Sequence, residues 1–326
     1  MAADNQMVIP EVNSFEKLIE RARDKVSSGR KPRAVLVLSS EGAMFRAFAQ
    51  AADKDLIDPI IVGNKSVFSQ RISEGNISLS GARIVNIPQP EQAVTTVAQM
   101  ASRGEIDLVV KGGRIPTADF LKLGFERGAS FVSRGRTLCH ISVIKPERYQ
   151  KLLLLTDSGV VVQPDLKQKL ALIQNAVTFA RRVIGLSSPR VAVLAAVEVI
   201  YPQMPVTTDA AILSKMADRR QIKGAFVDGP ISFDCAVDMF AARSKGLDKS
   251  EVAGQADILL APNIETAGGI YRAMALYGKA QIGGVLIGGK APVALGTRSD
   301  SAETKFHSIV LGVLAVELNE TPYSNQ

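Results

Sequence analysis

Short apolar runs, each about one strand long, alternate with longer segments of helical period almost from end to end. That alternation restricts the chain to few folds. The strand-like runs are AVLVLSS (34–40), PIIVG (59–63), ARIVNI (82–87), DLVVKG (107–112), HISVI (140–144), KLLLLTD (151–157), RVAVLAAV (190–197), GAFVDG (224–229), ADILLAP (256–262) and AQIGGVLIGG (280–289). Between them lie amphipathic segments such as FRAFAQAADK (45–54), QAVTTVAQMASR (92–103), LKQKLALIQNAVTFARRVIG (166–185) and TDAAILSKMADRR (208–220). Continuously apolar strands separated by helices imply a mainly parallel sheet covered on both faces. Ten strands exceed one comfortable sheet, so the expectation is an α/β fold with two doubly wound domains. No repeat or low-complexity linker interrupts the pattern.

In open parallel sheets, ligands bind beyond the carboxyl ends of the strands. That rule selects four loops: KGGRIPTAD after 107–112, DGPISFD after 224–229, APNIETAGG after 256–262, and GTRSDSAE near 296–303. Each combines Gly or Pro with small polar groups, and small residues let a ligand approach the backbone while helix N-termini offer N–H donors to anions. In the last loop Asp300 or Ser301 reads as an N-cap, with Glu303 at capping-box spacing from Asp300. Capping leaves Arg298 unexplained. A cation just ahead of a helix N-terminus opposes the macrodipole unless an anion lies between them.

Charge supports an anionic ligand. The chain carries +7 overall, and residues 103–151 hold ten Lys or Arg, including Arg134 and Arg136, against five acids. Few aromatics accompany that segment and no reader motif appears, so a small phosphorylated ligand is expected rather than nucleic acid. Other chemistries lack their signatures. GGVLIGGKA (283–291) has the glycine and lysine spacing of a Walker A loop but carries Ala291 where Ser or Thr should bind Mg²⁺, and it reads as a strand. No GxGxxG follows the first strand, and no GxSxG is present. Two histidines, His140 and His307, and two isolated cysteines, Cys139 and Cys235, form no ligand-spaced cluster, so no metal is expected. The start, MAADNQMVIPEVNSFEK, has neither a basic n-region nor an apolar run, and no apolar run approaches ~20 residues. A cytoplasmic protein without a membrane span, its two thiols reduced, is expected.

The stretches KLLLLTDSGVVVQPDLKQKLALIQNAV, AVEVIYPQMPVTTDAAILSKMADR, GAFVDGPISFDCAV, SEVAGQADILLAPNIE and GTRSDSAETKFHSIVLGVL resemble the phosphate acetyl/butyryltransferase family, above all its butyryltransferase branch. The likeness is good over residues 105–318 and looser before. DGPxxFDxA, VAGxADILLAP and xRxDSxETK in that order are highly specific together. The resemblance implies acyl transfer between coenzyme A and inorganic phosphate, giving acyl phosphate and free CoA. It further implies direct thiolate attack in a ternary complex, with CoA as substrate and no cofactor. The implied fold is that of isocitrate and isopropylmalate dehydrogenases. Its first domain would hold residues 1–138 and 297–326, its second 139–296, with the site in the cleft between them and a homodimer as the assembly.

The same resemblance implies roles. Arg298 matches the arginine that stabilises the reacting groups, and Thr297 stands where Ser is usual. Lys111, Gly112, Thr117 and Lys122 match the phosphate-site loop. Gly229, Pro230 and Asp234, then Asn263 and Glu265, then Asp300 and Ser301 complete the expected substrate contacts. Thr304 stands where the acetyltransferase branch has an Asp base, so Glu303 or Asp300 is expected to substitute. Lys122 replaces an arginine, Pro116 replaces a polar residue, and Asn263 and Gly268 replace an acid and an amide. Those departures keep open a second reading, a homologue that binds CoA or acyl phosphate without efficient turnover. A decarboxylating dehydrogenase would need metal carboxylates and a nicotinamide motif that the chain lacks.

Overall fold

The computed structural model describes residues 9–74, 77–79, 81–126 and 137–319. In chain order the elements begin α1 (Phe15–Ser28), β1 (Arg33–Val37), α2 (Gly42–Asp53), β2 (Asp58–Gly63), α3 (Lys65–Glu74), β3 (Arg83–Asn86), α4 (Pro90–Ser102), β4 (Leu108–Lys111), α5 (Thr117–Glu126) and β5 (Cys139–Lys145). They continue with β6 (Leu153–Thr156), α6 (Leu166–Phe179), β7 (Arg190–Leu194), α7 (Pro205–Asp218), β8 (Phe226–Ile231), α8 (Phe233–Val237), α9 (Met239–Ser244), β9 (Ile258–Leu260) and α10 (Ile264–Leu276). The last are β10 (Gln281–Ile287), β11 (Val293–Ala294) and α11 (Ala302–Ala315). Every apolar run named above carries a strand, and the Walker-like stretch is β10. Its Gly284 is required by packing, since a Cβ there would lie 2.3 Å from the Leu295 carbonyl. The two-residue β11 was not expected.

The chain forms two compact units, one of Phe15–Val143 with the segment from Gln281 onward, the other of Ile144–Ala280 with the segment up to Ser14. In the first, the strand order is β3-β2-β1-β4-β11-β10-β5. β1 lies between β2 and β4, parallel to both, with Val37 opposite Lys111. β11 runs parallel to β4 and antiparallel to β10. That pairing groups the last strands with the first unit. At the amino ends, Asp107 accepts from the Arg33 backbone N–H at 2.8 Å and from the Arg30 and Arg33 side chains at 2.8–3.0 Å. Burial works against its ionisation, but these donors hold its pKa down to about 2.

In the second unit the order is β6-β9-β7-β8, all parallel. α6 starts with a capping box between Asp165 and Gln168 and ends, after a π turn, at Gly185 with φ of 90°. A Cβ on Gly185 would lie 2.3 Å from the Pro10 carbonyl, so only glycine fits.

α11 is buried from Lys305 to Ala315 and packs on β10, α2 and α1. The sequence marks α1 only by apolar spacing (Phe15, Leu18, Ala22, Val26), all buried. Phe15 stacks on His307 at 4.0 Å between ring centroids. His307 Nδ1 is buried without a hydrogen-bond partner among the described residues. Burial lowers the His307 pKa, outweighing Glu303, the Ile282 backbone and Glu16. An unpaired buried polar atom costs about 1–3 kcal/mol. Because the folded pKa lies below the unfolded value of about 6.5, the unfolded chain binds more protons and stability falls as pH drops through that value. His307→Phe should therefore flatten the loss of urea midpoint between pH 7 and pH 5. An unchanged slope in the variant would assign that loss to other groups.

Candidate functional site

The expected loops of the first unit meet because β1, β4 and β11 are parallel neighbours, so the segments that leave their carboxyl ends emerge side by side. After β1 the backbone turns sharply at Leu38, φ of 51°, and buries Ser39 completely. Glu41 takes the N-cap position of α2, yet its side chain makes no cap bond. After β4, a Cβ on Gly112 would lie 2.4 Å from the Ser39 backbone, and one on Gly113 would lie 1.6 Å from Glu41 Oε1. The glycines thus let two loops touch. In Gly112 the close neighbour is protein backbone.

Lys111 ends β4 and is almost wholly buried. Its ammonium donates to the Ile115 carbonyl at 2.7 Å and to that of Gly112 at 3.1 Å. Burial, then the Arg298 guanidinium, lowers its pKa to about 8 against the opposing pull of Glu41. Arg298 is exposed, and among the described residues its side chain makes no ion pair. The turn that carries it is tied from within. Asp300 accepts from the Thr297 backbone N–H and hydroxyl, both at 2.6 Å. Ser301 caps α11 by accepting from the Thr304 N–H at 3.1 Å. Asp300 is therefore not the cap, and Glu303 lies exposed in the first turn without a capping-box partner.

Two residues that the sequence did not single out complete this region. Lys305 is 3% exposed and donates to the carbonyls of Asp300 (2.7 Å), Arg298 (3.2 Å) and Thr297 (3.4 Å). It also lies 3.6 Å from Glu41 Oε2. A lysine in the first turn of a helix opposes the macrodipole just as Arg298 does, which was the available signal. Glu41 gave none, because an acid ahead of a helix is accounted for by the macrodipole alone.

Thr117 opens α5, half-buried, and Lys122 is exposed on the same helix. Arg134 and Arg136 lie outside the described residues. Part of the basic excess is structural: Lys145 donates to the Tyr149 carbonyl, and Lys151 pairs with buried Asp257 at 2.8 Å.

In the second unit, Gly229 and Pro230 lie within β8, joined by a cis peptide. A Cβ on Gly229 would lie 2.8 Å from the Val193 carbonyl, so this glycine admits the neighbouring strand. Asp234, on α8, accepts from Ser232 at 2.6 Å and pairs with Lys245 at 3.2 Å. Ser232 Oγ also lies against Glu198, so its single proton is shared between the two acids, and Glu198 pairs with Lys245 at 3.0 Å. The Ser232 hydrogen bond chiefly, with Lys245, lowers the Asp234 pKa; burial opposes ionisation of Glu198, but the same two donors hold its pKa low too. Glu198, Asp234 and Cys235 lie close enough to share a metal ion. The Lys245 ammonium already pairs with both acids. Asn263 caps α10 by accepting from the Thr266 N–H at 2.9 Å, and Glu265 is exposed in its first turn.

A model of the phosphate acetyl/butaryl transferase family matches residues 89–313. A phosphate butyryltransferase from Clostridium acetobutylicum is 37% identical over 303 residues, covering 93% of this chain and 98% of that protein. A phosphate acetyltransferase from Thermotoga maritima is 37% identical over 300 residues, covering 92% and 99%. The solved structure of a branched-chain phosphotransacylase from Enterococcus faecalis V583 matches with a TM-score of 0.74 at 25% identity, over 87% of this chain and 99% of that one. With a family model matched over residues 89–313 and likeness over nearly the whole length of these relatives, the chain belongs to the phosphate acetyl/butaryl transferase family.

Proposed function

We propose that the chain is an acyl-CoA:phosphate acyltransferase acting on butyryl or other short-chain acyl groups. The observation that carries this reading is the pair of cations at the carboxyl ends of the first unit's strands, buried Lys111 beside exposed Arg298. Their mutual repulsion is relieved by an anion, which is what phosphate and acyl phosphate supply. In the synthetic direction a phosphate oxygen attacks the thioester carbonyl carbon, the C–S bond breaks, and CoA leaves as a thiolate that takes up a proton. In reverse the thiolate attacks the acyl phosphate and phosphate leaves. Arg298 stabilises charge on the carbonyl oxygen and phosphate, and Lys111 holds phosphate. The Thr297 hydroxyl is committed to Asp300, so it orients the turn. Glu303 carries no such tie and is the acid that handles the thiol proton.

Two buried free thiols, Cys139 and Cys235, suit a cytoplasmic protein. Among the described residues no helix is long and apolar enough to cross a membrane. The exposed run Val199, Ile200 and Tyr201 supports self-association as a homodimer. The second reading, binding of CoA or acyl phosphate without efficient turnover, rests on Asn263 and Gly268. Asn263 is spent on a helix cap, and a side chain at Gly268 would meet the Arg272 guanidinium. Phosphate-dependent CoA release across a panel of acyl-CoAs separates the two readings.

Arg298→Ala should lower turnover by about 10²–10³, equivalent to about 2.7–4 kcal/mol, while the melting temperature holds. Arg298→Lys should recover part of that loss, because an ammonium lacks the planar fork, and Thr297→Ser should be tolerated. Near-normal turnover in folded Arg298→Ala would remove Arg298 from the mechanism. Since Lys111 binds phosphate only when protonated, KM for phosphate should rise as pH passes about 8. Lys111→Met should bind phosphate weakly at every pH, without that inflection. With Lys111 and Arg298 supplying the positive charge, the reaction is expected to survive exhaustive EDTA dialysis. Loss restored by one divalent metal would contradict this.

A further inference from the structure

The three protons of the Lys305 ammonium point inward. They are shared among the carbonyls of Thr297, Arg298 and Asp300 at 3.4, 3.2 and 2.7 Å. With the side chain 3% exposed, this cation cannot reach a ligand. A buried ammonium in a helix's first turn is unfavourable both by desolvation and against the macrodipole. Its position is sustained by those carbonyls and by Glu41, 3.6 Å away in another loop. Glu41 itself lies against Gly113, two residues after Lys111.

We infer that buried Lys305 and half-buried Glu41 form a positioning pair that ties the turn bearing Arg298 to the loops after β1 and β4, holding Arg298 and Lys111 at a fixed separation. This inference rests on the roles given to Arg298 and Lys111 above. The turn is held on two sides. Asp300 fills its inside, bonded to the Thr297 N–H and hydroxyl, and a Cβ on Gly296 would lie 2.4 Å from that carboxylate. Lys305 holds the carbonyl side, including that of Arg298. Without Lys305, three carbonyls would need new donors and the turn would relax. Glu41 would then face Lys111 alone.

The charged groups that act on Lys111 are Arg298 from the segment after β11 and Glu41 from the loop after β1, and Lys305 reaches it only through Glu41. Two substitutions should therefore shift its titration in opposite directions. In Lys305→Met, Arg298 withdraws and Glu41 is no longer shared, so Lys111 titrates at higher pH. In Glu41→Gln the one opposing acid is lost, so Lys111 titrates at lower pH.

The test follows the ¹³Cε resonance of Lys111 in the ligand-free protein, assigned with Lys111→Met, alongside turnover at pH 7. Lys305→Met should lower kcat on the order of 100-fold, the penalty of a misplacement near 1 Å, with KM for phosphate little changed. Glu41→Gln should lower kcat less. A role in stability alone would lower both melting temperatures, leave the Lys111 titration in place and leave kcat intact, and that result would overturn the inference. If Lys305→Met fails to fold, a lowered kcat in folded Glu41→Gln supports the pair, and an unchanged kcat there overturns it. A wild-type protein inactive with every acyl-CoA would defeat the proposed function, whereas the ligand-free titration would still test the pair.

Discussion

The first unit depends on how closely the turn after β4 approaches the turn after β1. Gly112 and Gly113 leave no room for a Cβ against Ser39 and Glu41, and the two loops touch backbone to backbone. β1 and β4 are also where the strand order reverses, the chain running outward through β2 and β3 before returning to β4. At such a point the connections diverge and open a crevice beyond the carboxyl ends. Asp107 secures the same two strands at their amino ends through Arg30 and Arg33. The register that sets Val37 beside Lys111 is thus held from both ends.

Charge builds on that frame. Glu41 draws on Lys111 and pairs with Lys305, while Arg298 adds a second cation that acts on Lys111. Lys305 is saturated by carbonyls and serves the turn, while Arg298 stays exposed. The result is a local positive excess with an immobile base, suited to binding phosphate with little rearrangement. The second unit solves the opposite problem. There Glu198 and Asp234 outnumber Lys245, which pairs with both, and Ser232 links them in a solvent-facing network whose ion pairs are screened. Gly229 and Asn263, two of its motif residues, are explained by strand packing and helix capping.

Much of the fold was legible because strand burial is written locally. Ten apolar runs gave ten strands, and the π turn at the end of α6 lies inside one helical segment. β11 was not legible. Two residues carry no periodicity, and Val293 and Ala294 become a strand only because β4 and β10 flank them. α1, a surface helix of clear apolar spacing, was available but not picked out. At the site, the macrodipole argument singles out Arg298 as a residue that capping does not explain, and its side chain is exposed without an ion pair among the described residues. The same argument applies to Lys305, whose ammonium the carbonyls of the turn hold.

By itself the sequence determined the α/β class, the loops at the strand ends and the family, because each is carried by contiguous residues whose pattern survives without neighbours. The tertiary structure alone decided which of those residues meet. Glu41 and Lys305 are far apart in the chain, and their pairing exists only because β1, β4 and β11 are adjacent. It also decided that Asp300 binds Thr297 while Ser301 caps α11. Both acceptors suit a helix start, and only the path of the turn determines which oxygen reaches the free N–H groups.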